Sequence, residues 1–182
     1  MRAFVAIDLP STAPIPTSGR AIPPSDHLTL RFFADLPAAS VPAVVDALSE
    51  VARGSAPFSI TIEGIGAFPS PRDPKVVWRG ITDGREALID LVADLDRRLD
   101  RRLSRVGFPS EDRPFVPHLT WFRVRSDAER AVAREVLASG GGPGPLSVFV
   151  RAIALKESTL TRYGPIHRTI ASAELGSPSE LA

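Results

Sequence analysis

Apolar and polar positions along the chain alternate between two periods. Residues 2 to 8 form a short apolar run that reads as a buried strand, and 27 to 33 read as a second. Between them lie Pro10, Pro14, Pro16, Pro23 and Pro24, which exclude a stable helix over residues 9 to 26. Ser40 opens a helix to about Arg53, with Val44, Val45, Leu48 and Val51 on its apolar side. Residues 58 to 62 and 75 to 81 read as strands. A long helix follows over 83 to 106, where Leu88, Leu91, Val92, Leu95, Leu99, Leu103 and Val106 recur at helical spacing. Asp83 and Glu86 resemble a capping box at its start, and Gly107 suits its end. Its interleaved Arg and Asp residues read as a solvated, salt-bridged face in preference to an RNA-binding stripe. A strand is expected over 117 to 125. Ser126 and Glu129 form a second capping box, opening a helix to about Ser139. The run Gly140 to Gly144 is a turn, and no Lys-Ser/Thr follows it to make a phosphate loop. Strands are expected near 146 to 156 and 166 to 174, with a frayed tail from Gly176 to Ala182.

This pattern predicts an α+β fold. Two similar lobes, each an antiparallel sheet with helices packed outside, face a central cleft. Residues 1 to 175 are expected to form one bilobal domain and 176 to 182 a tail. A degenerate internal duplication fits the layout. With 182 residues, 43% of them hydrophobic, the chain can bury a sizeable core.

Charge changes this picture little. The chain has 22 Lys and Arg against 21 Asp and Glu, so any nucleic-acid contact must come from a local patch or from the reacting phosphate. Absence of Cys excludes disulfides, thiolate nucleophiles and Cys-based zinc sites. No His-Glu-x-x-His pattern occurs, and no spacing suggests a metal. The first apolar run is short and closes on Asp8, unlike a signal peptide, and no stretch approaches a membrane span. The default reading is a soluble cytoplasmic protein, with a monomer favoured.

The chemistry lies in a repeated tripeptide, His27-Leu28-Thr29 and His118-Leu119-Thr120. On a strand, His and Thr share one face, while Leu28 and Leu30, or Leu119 and Trp121, point into a core. Two such pairs across a cleft supply a base, an acid and two neutral hydrogen-bond donors, enough to cleave a phosphodiester without metal. The third histidine also fits the pattern, as His167-Arg168-Thr169, but Arg168 replaces the core-facing Leu.

The chain resembles the 2H phosphoesterases, and among them the RNA 2′,3′-cyclic phosphodiesterases also called 2′-5′ RNA ligases. The resemblance rests on Arg2 to Pro10, His27 to Phe32, Gly64 to Pro71, Val76 to Trp78, Arg113 to Thr120 with Arg123, and Leu155 to Ser158. It departs where the Pro-rich segment replaces a helix, at Ala34, and at Lys156 and His167, where aromatics are usual. The missing helix leaves one face of the first lobe in doubt, and an uncovered apolar face would favour self-association.

The resemblance implies hydrolysis of RNA ends or nucleotides carrying a 2′,3′-cyclic phosphate to a 2′-phosphate, with no cofactor and no metal. His27 would be the acid and His118 the base; Thr29, Thr120 and Arg123 would hold the phosphate. Strict alternation opposes Arg123, since 118, 120 and 122 share a face and 123 falls on the other unless the strand bulges. Further candidates for substrate contact are Phe68, read as part of a Gly-rich loop, and His167. Phe4 and Trp78 are expected mainly as core. Alternatives are the reverse reaction (2′-5′ ligation), a 2′-5′ oligoadenylate or ADP-ribose cyclic phosphodiesterase, and a non-catalytic RNA-end binding module.

Overall fold

Strand β1 (Ala3–Asp8) lies at the centre of the first sheet because its core-facing side chains, Ala3, Val5 and Ile7, are apolar and fully buried. A computed structural model describes residues 1–10, 26–106, 113–140, 144–162 and 164–176. The Pro-rich segment beyond Pro10, Gly107, Tyr163 and the tail after Gly176 lie outside the described residues, as do 141–143 of the Gly-rich turn.

The described elements follow in chain order: β2 (His27–Phe33), a 3₁₀ turn (Ala38–Ser40), α1 (Val41–Gly54), β3 (Phe58–Ser70), β4 (Asp73–Ile81), α2 (Arg85–Leu103), a 3₁₀ turn (Ser104–Val106), β5 (His118–Arg123), α3 (Asp127–Ser139), β6 (Leu146–Val150), β7 (Ala152–Thr161) and β8 (Gly164–Glu174). They build two four-stranded antiparallel sheets, ordered β2-β1-β7-β8 and β5-β4-β3-β6. The expected α+β architecture of two sheets with helices outside is the one observed.

The lobes are not the two halves of the chain. The first sheet takes both ends of the described chain and the second takes its middle. The strand expected near 146 to 156 is two strands in different sheets. Leu146–Val150 pairs with β3, and after Arg151 the chain crosses to pair Ala152–Thr161 with β1 and β8. Hydropathy cannot show this, because both pieces bury apolar residues and only the partner changes.

Helix α1 packs on β7, β8 and α2, so the face left in doubt by the missing helix is covered. Helix α2 buries Leu88, Leu91, Val92, Leu95, Leu99 and Leu103, each worth about 1.5–3 kcal/mol relative to exposure. These join Leu28, Leu30, Phe33 and Leu119 in one core cluster that spans both sheets. The polar face of α2 is salt-bridged as expected. Arg98 reaches Asp94 at 2.8 Å and Glu50 of α1 at 2.7 Å, and Arg102 also binds Glu50. Helix α3 covers a smaller cluster of Val77, Trp121, Phe122 and Ala133. None of the described helices is long and apolar enough to cross a membrane.

Two helix starts differ from expectation. The capping box forms at α3, where Ser126 Oγ accepts from Glu129 N at 3.2 Å and Glu129 accepts from Arg125 N at 2.6 Å. It does not form at α2. Gly84 precedes that helix at φ +70°, with no side-chain cap. A Cβ at Gly84 would collide with the Ser59 carbonyl oxygen, so close approach to β3, together with the positive φ, sets this start. At α1, Ser40 occupies the capping position, but its hydroxyl makes no capping bond.

Candidate active site

Strands β2 and β5 are the edge strands of their sheets and lie against each other. Each carries one His-Leu-Thr motif. On β2, His27 pairs with Asp8, Leu28 with Ile7 and Thr29 with Ala6; the register then slips and Arg31 pairs with Val5. Leu30 is therefore an extra residue, a bulge one place beyond Thr29. On β5, His118 pairs with Gly80, Leu119 with Arg79 and Thr120 with Trp78; after a slip, Phe122 pairs with Val77 and Arg123 with Val76. Trp121 is the matching bulge.

The bulge settles the facing of Arg123. Residues directly opposite in an antiparallel pair share a face. Gly80, Trp78 and Val76 alternate on one face of β4, so His118, Thr120 and Arg123 share it as well. The alternation that opposed Arg123 fails because Trp121 shifts parity by one. On β2 the same device puts His27, Thr29 and Phe32 on the cleft face and Leu28, Arg31 and Phe33 inside. Arg31, on the inner face, is buried and reaches Asp96 of α2 at 3.4 Å.

Each histidine has its Nδ1 committed. His118 Nδ1 lies 2.7 Å from the Val116 carbonyl oxygen. A carbonyl only accepts, so Nδ1 carries the proton and neutral His118 presents a bare Nε2. His27 Nδ1 lies 2.8 Å from Asp26 Oδ1. An ionised carboxylate accepts there, and it partners an imidazolium well. Burial alone would raise the Asp26 pKa, but the hydrogen bond and charge of His27 outweigh it and hold the carboxyl below its ordinary range.

Burial pushes the His118 pKa below that of a free imidazole; the Val116 bond opposes this and the Arg123 charge adds to it. If His118 must be neutral to act, activity falls as pH drops through its folded-state pKa. The acidic limb of kcat/KM is therefore expected to have its midpoint below about 6.5, the reference for free histidine. The linkage to stability has the same sign. The contribution is intact above the unfolded pKa and is lost as pH falls through the folded one. An NMR titration of the His118 ring checks this, and a midpoint above that of free histidine would sink its assignment as a base.

The aromatic surroundings differ from expectation. Phe4 and Trp78 face the cleft. The Phe4 ring lies 4.7 Å from the His27 ring and 4.9 Å from that of His167. Trp78 lies 6.2 Å from His118 and 5.3 Å from Phe68. Phe68 touches the His118 ring edge-on at 5.0 Å. It stands on β3, which runs unbroken through the segment read as a loop. Gly66, opposite Trp78, makes this wall, since a Cβ there would collide with the indole. His167 on β8 sits 5.1 Å from His27, with its buried Nδ1 unpartnered. Burial, followed by the charge of His27, lowers its pKa.

Asp26 and Lys156 were not anticipated at the site. Lys156, on the cleft face of β7, ion-pairs with Asp8. An acidic residue directly before His-x-Thr is a signal that could have revealed Asp26. Lys156 becomes a site residue only through strand pairing. Among the described residues no group of three or more His, Asp or Glu side chains is gathered as a metal would require.

The family model described as the 2′-5′ RNA ligase superfamily matches residues 16–159. The chain belongs to the 2′-5′ RNA ligase superfamily. Within the superfamily it is 35% identical over 145 residues to an RNA 2′,3′-cyclic phosphodiesterase of Methanothermobacter thermautotrophicus, covering 80% of this chain and 76% of the relative. It is 32% identical to an RNA 2′,3′-cyclic phosphodiesterase of Aquifex aeolicus over 154 residues, covering 85% of this chain and 80% of that one. The superfamily fold is seen directly in a crystal structure of a Thermus thermophilus protein, with TM-score 0.72, 24% identity, and coverage of 98% of this chain and 100% of that one. Escherichia coli LigT complexed with 3′-AMP gives TM-score 0.67 at 23% identity, over 97% of this chain and 98% of LigT. The resemblance to the 2H phosphoesterases read from the motifs is thus borne out.

Proposed function

We propose that this chain hydrolyses the 2′,3′-cyclic phosphate of RNA ends or nucleotides to a 2′-phosphate, with His27 and His118 as the proton-transfer pair. One observation carries the reading. Two histidines on adjoining edge strands each have Nδ1 tied, one to a carboxylate and one to a carbonyl, and each stands on the same strand face as a threonine. The names of the relatives and the 3′-AMP bound by LigT support the substrate class.

Neutral His118 takes the proton of a water through Nε2 as the oxygen attacks phosphorus. The P–O3′ bond breaks, and the imidazolium of His27 protonates the departing 3′-oxygen. The product keeps its phosphate on the 2′-oxygen. Asp26 sustains the charged state of His27 until the proton leaves. Thr29 and Thr120 donate to the non-bridging oxygens, and Arg123 offsets the charge that builds there. These groups supply each proton and each countercharge without a metal. The apolar core that joins both sheets supports residues 1 to 175 acting as one bilobal unit.

The test is turnover of adenosine 2′,3′-cyclic phosphate in excess EDTA, with product identity read by phosphorus NMR. Adenosine 2′-phosphate is expected, at an unchanged rate. A 3′-phosphate would reverse the leaving group, and loss of turnover in EDTA would remove the metal-free mechanism. If neither this substrate nor a cyclic-phosphate-ended oligonucleotide were consumed, the enzyme reading would fall.

A further inference from the structure

Arg2 stands just before β1 and is anchored there by its carbonyl, which accepts from Ser158 N at 2.9 Å. Its guanidinium carbon lies 4.5 Å from the centre of the Phe32 ring, within cation–π range. Phe32 is 39% exposed on the cleft face. It occupies in β2 the place Arg123 occupies in β5: five residues past the motif histidine, beyond the bulge, on the same face. A guanidinium thus marks the same step on both walls. On one wall it is the Arg123 side chain itself, and on the other it is Arg2 resting on Phe32.

These two cations lack what most arginines of the fold have. Arg98, Arg102, Arg130 and Arg168 are paired with carboxylates. Among the described residues, Arg2 and Arg123 make no ion pair. They act instead on each other. Partial burial, then the charges of Arg125 and Arg2, lower the Arg123 pKa, and the Arg2 charge also reaches His167. Cations held together without a counterion are relieved by an arriving anion.

The reacting phosphate does not account for Arg2. Four register steps separate Phe32 from His27, about 13 Å of strand. Arg123 acts on His118, and Arg2 acts on Arg123, one charge farther out. Resting on the function argued above, we propose that Arg2, held on Phe32, binds a second phosphate of the substrate: the one on the 5′-oxygen of the terminal nucleoside, which links it to the rest of an RNA strand. The site then favours strand ends over bare nucleoside cyclic phosphates.

Calorimetric binding of product ligands tests this without relying on turnover. The ligands are adenosine 2′-phosphate, adenosine 2′,5′-bisphosphate, and a diadenylate carrying the terminal 2′-phosphate. The unaltered protein is expected to bind both 5′-phosphorylated ligands about tenfold tighter than adenosine 2′-phosphate, the scale of one charge-assisted contact. Arg2→Gln should erase that advantage while leaving adenosine 2′-phosphate within about twofold, and should reduce the salt slope for the diadenylate by about 0.7. Phe32→Ala, which keeps the arginine but removes its support, should lose part of the advantage. Equal loss on all three ligands, or no advantage in the unaltered protein, would overturn the proposal. A gain for the bisphosphate alone would also overturn it, by assigning the site to free nucleotides. Binding as expected without hydrolysis of the cyclic phosphate would defeat the proposed activity and leave this inference standing.

Discussion

Alanine at position 118 is expected to lower kcat/KM for adenosine 2′,3′-cyclic phosphate by about 10³-fold, and alanine at position 27 by a similar factor. General acid–base groups contribute about 10²–10⁴-fold each. The double variant should be little worse than either single one, because proton removal and proton delivery serve one displacement. The pH profile separates the roles. His118→Ala should lose the acidic limb, which reports a base that must be neutral, and His27→Ala the alkaline limb, which reports an acid that must be charged. Thermal unfolding provides the control, since both rings are only partly buried and contact aromatic neighbours. If either variant kept its rate within tenfold of the parent, the two-histidine mechanism would be wrong. Swapped limbs would exchange acid and base.

Arg123→Ala is expected to cost about 10²–10³-fold in kcat, the usual effect of removing one preorganised contact to developing oxyanion charge. Arg123→Lys should recover only part of it, because an ammonium is a point charge without the planar fork of a guanidinium. The expectation depends on the bulge at Trp121, which puts Arg123 on the face of His118 and Thr120. On a regular strand Arg123 would point toward the covering helix, and its removal would affect folding more than rate. Steady-state kinetics with a melting curve for each variant distinguishes the cases. Unchanged kcat with lowered stability would show that the side chain does not serve the phosphate.

The motifs carry their own geometry as far as alternation extends. His-Leu-Thr on a strand must put His and Thr together and Leu behind them, and both copies do so. Alternation fails where one residue is extra. Leu30 and Trp121 are ordinary apolar residues, and nothing local marks them as bulges; the slip is visible only against β1 and β4. Phe4 and Trp78 were misplaced for a related reason. An aromatic on a strand suits a core or a cleft wall equally, and the choice is made by what stands opposite. For Trp78 that is Gly66, which leaves room for the indole to lie across it.

The sequence by itself determined the element types, the apolar stripes of the helices, the capping box of α3, the paired motifs and the family. All of these rest on short-range periodicity or on residues written side by side. Tertiary structure decided which strands share a sheet, why 146–150 and 152–161 part company at Arg151, and that α2 starts from Gly84 against Ser59. It also brought Asp26, His167, Lys156 and Arg2 to the site. Strand partnership and side-chain convergence join positions far apart in the chain. The free energy that selects them comes from burying both lobes in one core, which no local pattern contains.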